Sequence, residues 1–497
     1  MMDYCRIDTE DNVAVALKDL HKGSEVCGVR LLEDIPSGHK FALKDIPEGE
    51  CAVKYGFPIG RLTKAAGAGS LVDHNSLRSS LSDRSEYSYN PCAFARPASD
   101  GVTGGRTFRG FIRRNGDVGV RNQIWVIPTV GCVNGIVNEL ASRFSKEIEG
   151  RGGSVDAVVP FPHNYGCSQL GGDHENTRKI LADLLHHPNC GGALVVSLGC
   201  ENNQLEALLD EAGDYDKERI RTMKVQEVDG DELEYGLSLL RQLFSIASTD
   251  VRSEVPVSKL KVGLKCGSSD GLSGITANPL LGRFSDWLVA EGGTAVLTEV
   301  PEMFGAETIL MDRCCNGDIF DKTVQLINGF KDYFTSNGQP VYENPSPGNK
   351  AGGISTLEEK SLGCIRKGGS SPVVDVVDYA GLIKTKGLNL LSSPGNDIVS
   401  STALAASGCQ IILFTTGRGT PLGSFVPTVK VSSNTPLAEK KPSWIDFDAG
   451  ILTGGRDIEE VREVFINTVL EIADGRFSKS ELNNSREMAI FKSGVTL

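Results

Sequence analysis

Six short apolar runs in this chain, each about as long as a β-strand, stop at a glycine, a cysteine or a small polar residue and open into chemically loaded sequence. Residues 124–130 run into Gly131-Cys132, and 155–161 into His163-Asn164-Tyr165-Gly166-Cys167-Ser168. Residues 193–198 run into Gly199-Cys200-Glu201-Asn202-Asn203, and 261–265 into Cys266-Gly267-Ser268-Ser269-Asp270-Gly271. Residues 388–391 lead to Ser392-Ser393-Pro394-Gly395-Asn396-Asp397, and 411–414 to Thr415-Thr416-Gly417-Arg418-Gly419. Helical periodicity lies between strands: 134–149 places Ile136, Leu140, Phe144 and Ile148 at i, i+4 spacing, and 174–187 carries Ile180, Leu181, Leu184 and Leu185. Strands alternating with helices imply an α/β fold with a largely parallel sheet. Ligands bind just beyond the carboxyl ends of such strands, so six ends carrying Cys, His, Glu, Asp and Arg predict one composite active site.

A chain of 497 residues is too long for one core. Residues 1–78 read as a small β domain, because Asp34-Ile35-Pro36-Ser37-Gly38 and Asp45-Ile46-Pro47-Glu48-Gly49 are one turn repeated, with Asp19-Leu20-His21-Lys22-Gly23 a weaker copy. Residues 79–105, rich in Ser, Asp, Pro and Gly, read as a linker. A central α/β region follows over 106–252 and a second over 253–497, whose closing helix is expected over 457–473.

Cys132, Cys167, Cys200, Glu201 and Cys266 are the candidate metal ligands, with His163 as a further donor. Thiolate and imidazole suit iron or zinc, and a carboxylate widens the choice to manganese or magnesium. No CxxC pair is present, so the ligands would have to converge from separate strands. His163, Lys350 and Glu302 are the candidates for proton transfer. Lys350 lies in Asn344-Pro345-Ser346-Pro347-Gly348-Asn349-Lys350-Ala351-Gly352-Gly353, where prolines stiffen and glycines permit close approach. It could hold a carboxylate or act as the base. Arg418, between two glycines, suits bidentate carboxylate binding. Asn344, Asn349, Asn396, Asp397 and Asp270 are candidates for substrate hydroxyls, and His39 and His74 for a polar lid carried by the β domain. The mixture suits removal of water from a hydroxy acid: a metal stabilises the enediolate, and an acid and a base move the protons.

The Gly131–Gly135, Tyr165–Gly171, Gly199–Asn203, Gly271–Pro279, Asn344–Gly353 and Thr416–Gly419 motifs, with the terminal Phe491-Lys492-Ser493-Gly494-Val495-Thr496-Leu497, resemble the altronate/galactarate dehydratase family over essentially the whole chain. The resemblance implies an amino-terminal SAF-type β-clip domain, a linker and two α/β regions, the last a Rossmann-like parallel-sheet variant. It also implies dehydration of D-altronate to 2-dehydro-3-deoxy-D-gluconate in galacturonate breakdown, with ferrous iron, or manganese as substitute, as cofactor. At position 268 the chain has Ser where the family more often has a second Gly.

A net charge of −13 argues against nucleic-acid binding, and no apolar run approaches the ~20 residues that cross a bilayer. A cytoplasmic location, reduced cysteines, a small sugar-acid substrate, no membrane partner and a homo-oligomer are expected. The competing readings are galactarate dehydration, a hydrolase with Cys167 as nucleophile and His163 as base, and a non-catalytic sugar-acid sensor.

Overall fold

A computed structural model of the chain describes residues 3–92 and 105–497. The amino-terminal domain is all-β, with a four-stranded antiparallel sheet (Tyr4–Cys5, Val13–Ala16, Lys40–Ala42, Leu71–Val72) and a three-stranded one (Cys51–Lys54, Phe57–Leu62, Leu77–Arg78). Its repeated turns pair: Leu20 bridges Ile35 and Ile46 bridges Ala66, with all four side chains buried. Each turn aspartate accepts an N–H from the partner turn, Asp19 from Ser37 (2.8 Å), Asp34 from Lys22 (2.7 Å) and Asp45 from Ala68 (2.9 Å). Ala65-Ala66-Gly67-Ala68-Gly69 is thus a fourth copy, hidden in the sequence because it has lost both Asp and Pro.

Residues 79–92 are not a free linker. Ser79 Oγ and Ser80 N donate to Glu358 (3.0 and 2.6 Å), Tyr87 OH to Glu307 (2.6 Å) and Tyr89 OH to the Cys314 carbonyl (2.6 Å). The first half of the expected linker is therefore a strap on the C-terminal domain; residues 93–104 of it lie outside the described residues.

The central region is a four-stranded parallel sheet of β1 (Gln123–Pro128), β2 (Ala157–Pro160), β3 (Cys190–Ser197) and β4 (Ile220–Lys224), in the order β2-β1-β3-β4. Helices cover its faces, which is why β1 and β3 are continuous buried runs rather than alternating ones. Helix α1 (Asn134–Ile148) buries Val137, Leu140, Ala141 and Phe144, and α2 (Gly171–Asp183) buries Ile180 and Leu181. The two ends of the region meet, because Thr107–Ile112 pairs antiparallel with Ser253–Pro256.

The C-terminal domain is a seven-stranded all-parallel sheet. Its strands are β5 (Lys261–Cys266), β6 (Thr294–Leu297), β7 (Val373–Val377), β8 (Gly387–Leu391), β9 (Ile411–Thr416), β10 (Thr428–Ser432) and β11 (Phe447–Asp448), in the order β7-β8-β6-β5-β9-β10-β11. Three helices matter for the site: α3 (Pro347–Ala351), α4 (Leu357–Cys364) and α5 (Asp397–Ala406). The helix expected over 457–473 is Ile458–Ala473, but the chain adds a further short helix, Lys479–Leu482, after it. All six apolar runs are strands. They do not form one sheet, however: three end in the central region and three in the C-terminal domain. No helix of the described residues is long and apolar enough to cross a membrane.

Candidate active site

A cavity of about 820 Å³ opens at the carboxyl ends of β5 and β8, under the 343–350 segment. Glu302, Asn344, Asn349, Lys350, Asn396 and Asp397 all line it. Arg418 sits at its rim, donating to the Gly348 carbonyl at 3.2 Å. The loop beneath Arg418 is shaped by Ser268, whose left-handed backbone (φ 53°) turns its carbonyl to accept from Gly417 N (3.1 Å) and Arg418 N (2.9 Å). Glycine is easier in that conformation. Serine at 268 therefore carries a conformational cost but keeps the loop's shape.

The cavity floor is a network of buried charges. Lys360 Nζ meets Glu302 Oε1 at 2.7 Å and donates to Asn344 Oδ1 (3.1 Å) and Asn349 Oδ1 (3.3 Å). Lys265 donates to Asp397 (2.8 Å) and pairs with Glu299, which also accepts from Lys367 at 2.9 Å. Burial alone would push the Glu302 carboxyl up, but the ammoniums of Lys360, Lys265 and Lys367 override it and hold it at about 2. Burial likewise opposes the charge on Lys360, and Glu302, Cys364 and Cys266 outweigh it, so this lysine stays cationic. Lys350 differs: its ammonium makes no hydrogen bond or ion pair among the described residues. Asn344 and Asn349 are held by Lys360, and Asn396 caps α5 by accepting from Ile398 N (3.1 Å) and Val399 N (3.2 Å).

Lys360, Lys265 and Lys367 were not legible as site residues. Lys360 follows Glu358-Glu359 and reads as the charged face of an exposed helix, yet α4 is buried along its whole length.

Several expected roles are not met. His163 is buried, with Nε2 on the Pro128 carbonyl (2.9 Å) and Nδ1 accepting from Tyr165 N (3.1 Å). Burial lowers its pKa, so it is a neutral imidazole tying down its own loop, and neither nitrogen is left for proton transfer or for Cys167. The hydrolase dyad is absent. Glu201 Oε1 accepts from Thr129 Oγ1, Ser197 Oγ and Leu198 N, and its Oε2 from Gly199 N, so the carboxylate is engaged in fastening its own loop to the strand ends. Asp270 binds Ser273, Ser433 (2.7 Å) and Asn434 (3.0 Å), fastening its own loop to the 433–434 loop rather than facing the cavity. His39 and His74 do not line the cavity. His74 is exposed beside Asp73, and His39 contacts only the Ser37 carbonyl at 3.4 Å.

The β domain is no lid. Lys40 and Lys54, both fully buried, each meet Glu359 of α4 at 2.8 Å, and Lys40 also donates to the Gly353 carbonyl at 2.8 Å. The Gly38 carbonyl packs so closely on Gly353 that a Cβ there would lie 2.3 Å from it. The domain is wedged against the back of the site.

The ligands proposed for one metal divide between two sheets: Cys132, Cys167, Cys200 and Glu201 belong to the central region and Cys266 to the C-terminal domain. Among the described residues, Cys266, Glu302 and Cys364 bring three ligand atoms within 4.8 Å of one another. That group does not fit a substrate-binding ferrous ion. Glu302 is already committed there, Oε1 to Lys360 and Oε2 to the Cys364 and Cys266 sulfurs at 3.1 and 3.3 Å. Three ammoniums would repel a divalent ion, and neither sulfur lines the cavity. Two sulfur donors suit manganese still less.

Family models match along the chain: an altronate/galactarate dehydratase SAF domain over 2–80, a D-galactarate dehydratase/altronate hydrolase second domain over 110–248, and a D-galactarate/altronate dehydratase C-terminal domain over 257–496. The chain is 54% identical to an altronate dehydratase of Bacillus subtilis (strain 168) and 54% identical to one of Escherichia coli (strain K12), covering 100% of both partners in each case. It is 33% identical to the galactarate dehydratase (L-threo-forming) of Escherichia coli (strain K12), over 95% of this chain and 93% of that one.

Proposed function

Because the chain belongs to the altronate/galactarate dehydratase family, and so is a hydro-lyase acting on a sugar acid, we propose that its substrate is D-altronate and its product 2-dehydro-3-deoxy-D-gluconate. The observation that carries the chemical part of this reading is the Lys350 ammonium, without a partner among the described residues, beside the Lys360–Glu302 pair in one polar cavity. A sugar acid brings a carboxylate and several hydroxyls. Lys350 and Arg418 take the carboxylate, while Asn344 and Asn349, already oriented by Lys360, meet the hydroxyls. Taking the C2 proton places a second negative charge on the carboxylate carbon's oxygens. Fixed ammoniums in a partly desolvated cavity stabilise that enediolate more than they stabilise the substrate. The proton lost from C2 and the hydroxide lost from C3 together make up the one water released, and ketonisation of the resulting enol gives the 2-keto-3-deoxy product. Glu302, ionised throughout the working pH range, serves here to hold Lys360 in place.

The reading includes ferrous iron as cofactor with manganese as substitute, a cytoplasmic homo-oligomer, and a role in galacturonate breakdown. The 33% identity to a galactarate dehydratase supports a second reading, galactarate as substrate. An anaerobic assay with D-altronate and galactarate side by side, after chelation and again after ferrous iron is restored, tests both. Keto-deoxy product from D-altronate alone, returning with iron, is the expected result. Turnover of galactarate instead would replace the substrate, and full activity after verified iron removal would remove the cofactor.

A further inference from the structure

Dehydration of a hydroxy acid needs a group that accepts the C2 proton, and the cavity offers three carboxylates among the described residues, those of Glu302, Glu343 and Asp397. Glu302 has no oxygen to spare. Its Oε1 meets Lys360 at 2.7 Å and accepts from Asn344 Nδ2 at 3.4 Å, and its Oε2 lies 3.1 and 3.3 Å from the Cys364 and Cys266 sulfurs. Glu343 is exposed, and no hydrogen bond or ion pair among the described residues fixes its position.

Asp397 differs from both. It stands in the first turn of α5, directly after the Asn396 cap, and its Oδ1 accepts from Lys265 Nζ at 2.8 Å. Its Oδ2 accepts no hydrogen bond among the described residues, and the side chain is 36% exposed toward the cavity it lines. The anchor beneath is rigid: Lys265 is fully buried, donates to the Cys266 carbonyl at 2.8 Å and pairs with Glu299. On the other side the carboxylate rests against Gly267 at the end of β5, where a Cβ would lie 2.6 Å from Oδ2 and 2.9 Å from Oδ1. One oxygen is pinned and the other is held at the cavity wall with its lone pairs unused.

The surrounding charges select the same group. A carboxylate that takes a proton gives up its charge, and a buried ammonium that depends on it is left unpaired. Lys360 has Glu302 as its one counter-charge among the described residues, so protonating Glu302 would strand it. Lys265 has two, and it keeps Glu299, which it shares with Lys367, when Asp397 is neutralised. The negative charge that leaves Asp397 reappears on the enediolate in the same cavity.

We propose that Asp397 is the base of the dehydration, its Oδ2 taking the C2 proton; the assignment rests on the dehydratase reading above. An O–H bond forms at Oδ2 as the C2–H bond breaks, and the electron pair passes into the substrate carboxylate as the enediolate. The pair returns to form the C2–C3 double bond as the C3–O bond breaks. The departing hydroxide takes the proton from Asp397 and leaves as water, which restores the carboxylate and consumes no oxidant or reductant.

The test uses the full chain with whichever of D-altronate and galactarate it dehydrates, carrying hydrogen or deuterium at C2. Asp397→Asn should lower kcat about 10²–10⁴-fold, with Tm unchanged and substrate Kd not weakened. A residue that only held Lys265 or a substrate hydroxyl would move Tm or Kd instead. The slowed variant should show a primary deuterium isotope effect on kcat, because removal of that proton has become the slow step. Asp397→Glu keeps a charge beside Lys265 but shifts the oxygens by one methylene, so it should still lose about 10²-fold in kcat, and it replaces the asparagine variant if that one unfolds. Glu343→Gln should keep the kcat of the unaltered chain. Undiminished kcat in Asp397→Asn, a loss confined to KM, or no isotope effect in the slowed variant overturns the assignment and leaves the dehydratase reading standing. A chain that dehydrates neither sugar acid overturns both.

Discussion

Glu359 and Lys360 are neighbours on α4 whose side chains serve different domains: Glu359 receives Lys40 and Lys54 of the β domain, and Lys360 reaches Glu302 under the cavity. Lys360→Met leaves Glu302 buried and unpaired, and should cost about 3–5 kcal/mol in urea unfolding, with turnover lost. Lys350→Met removes no internal partner. It should leave Tm unchanged while kcat/KM falls roughly 10–100-fold, the worth of one charged contact to the substrate; unchanged kinetics would take Lys350 out of the site. Acid is the third probe. Glu302 and Glu359 are both held at about 2, below the ordinary carboxylate value of about 4.3. A depressed carboxylate contributes its stability above the unfolded value and loses it as pH falls toward the folded one. Unfolding free energy should therefore drop steeply between about pH 4.3 and pH 2, and more gently in Glu302→Gln. Lys350, Glu302, Asp397, Arg418 and the three asparagines were readable because strand ends and Gly/Pro loops mark them. Lys360 was not, because charge in a helix says nothing about which way the helix is buried. For His163 and Glu201 the sequence showed polar groups at strand ends, but not that main-chain donors and acceptors already occupied them.

Among the elements, the six apolar runs announced themselves because both faces of each strand are covered. Strands β4, β7 and β10 were missed for the complementary reason: Arg221, Asp375 and Lys430 interrupt them. The Lys430 ammonium is carried to the Thr420 carbonyl at 2.8 Å, a partner no local pattern reveals. The division of the strands between two sheets was equally invisible, since pairing is a long-range property. Helix α4 is the element on which the β domain and the cavity meet, so Glu359→Gln should destabilise the whole protein by about 3–5 kcal/mol, two buried ammoniums losing their counter-charge. Adding Lys40→Met and Lys54→Met to that variant should recover part of the loss, measured as the coupling in a mutant cycle. A recovery of zero would mean the triad contributes only through shape.

For the whole molecule, composition and turn motifs placed the three parts along the chain, but nothing in 79–92 distinguished a strap from a tether. Tyr87→Phe removes the hydroxyl's bonds to Glu307 and from Lys331, and Tyr89→Phe the one to the Cys314 carbonyl, each worth about 1 kcal/mol; together they should expose this segment to limited proteolysis while the two α/β regions stay resistant. Resistance in the double variant would show that Ser79 and Ser80 on Glu358 suffice to hold it. The pairing of Thr107–Ile112 with Ser253–Pro256 has a mechanical consequence. The chain enters and leaves the central region through two strands zipped side by side, and the region is also sealed to the C-terminal domain by one apolar core in which Trp125 and Phe161 pack on Phe425. Arg121 adds a buried pair to Glu481 at 2.7 Å. The central region is therefore clamped as well as tethered, and swinging it away would expose that shared core to water.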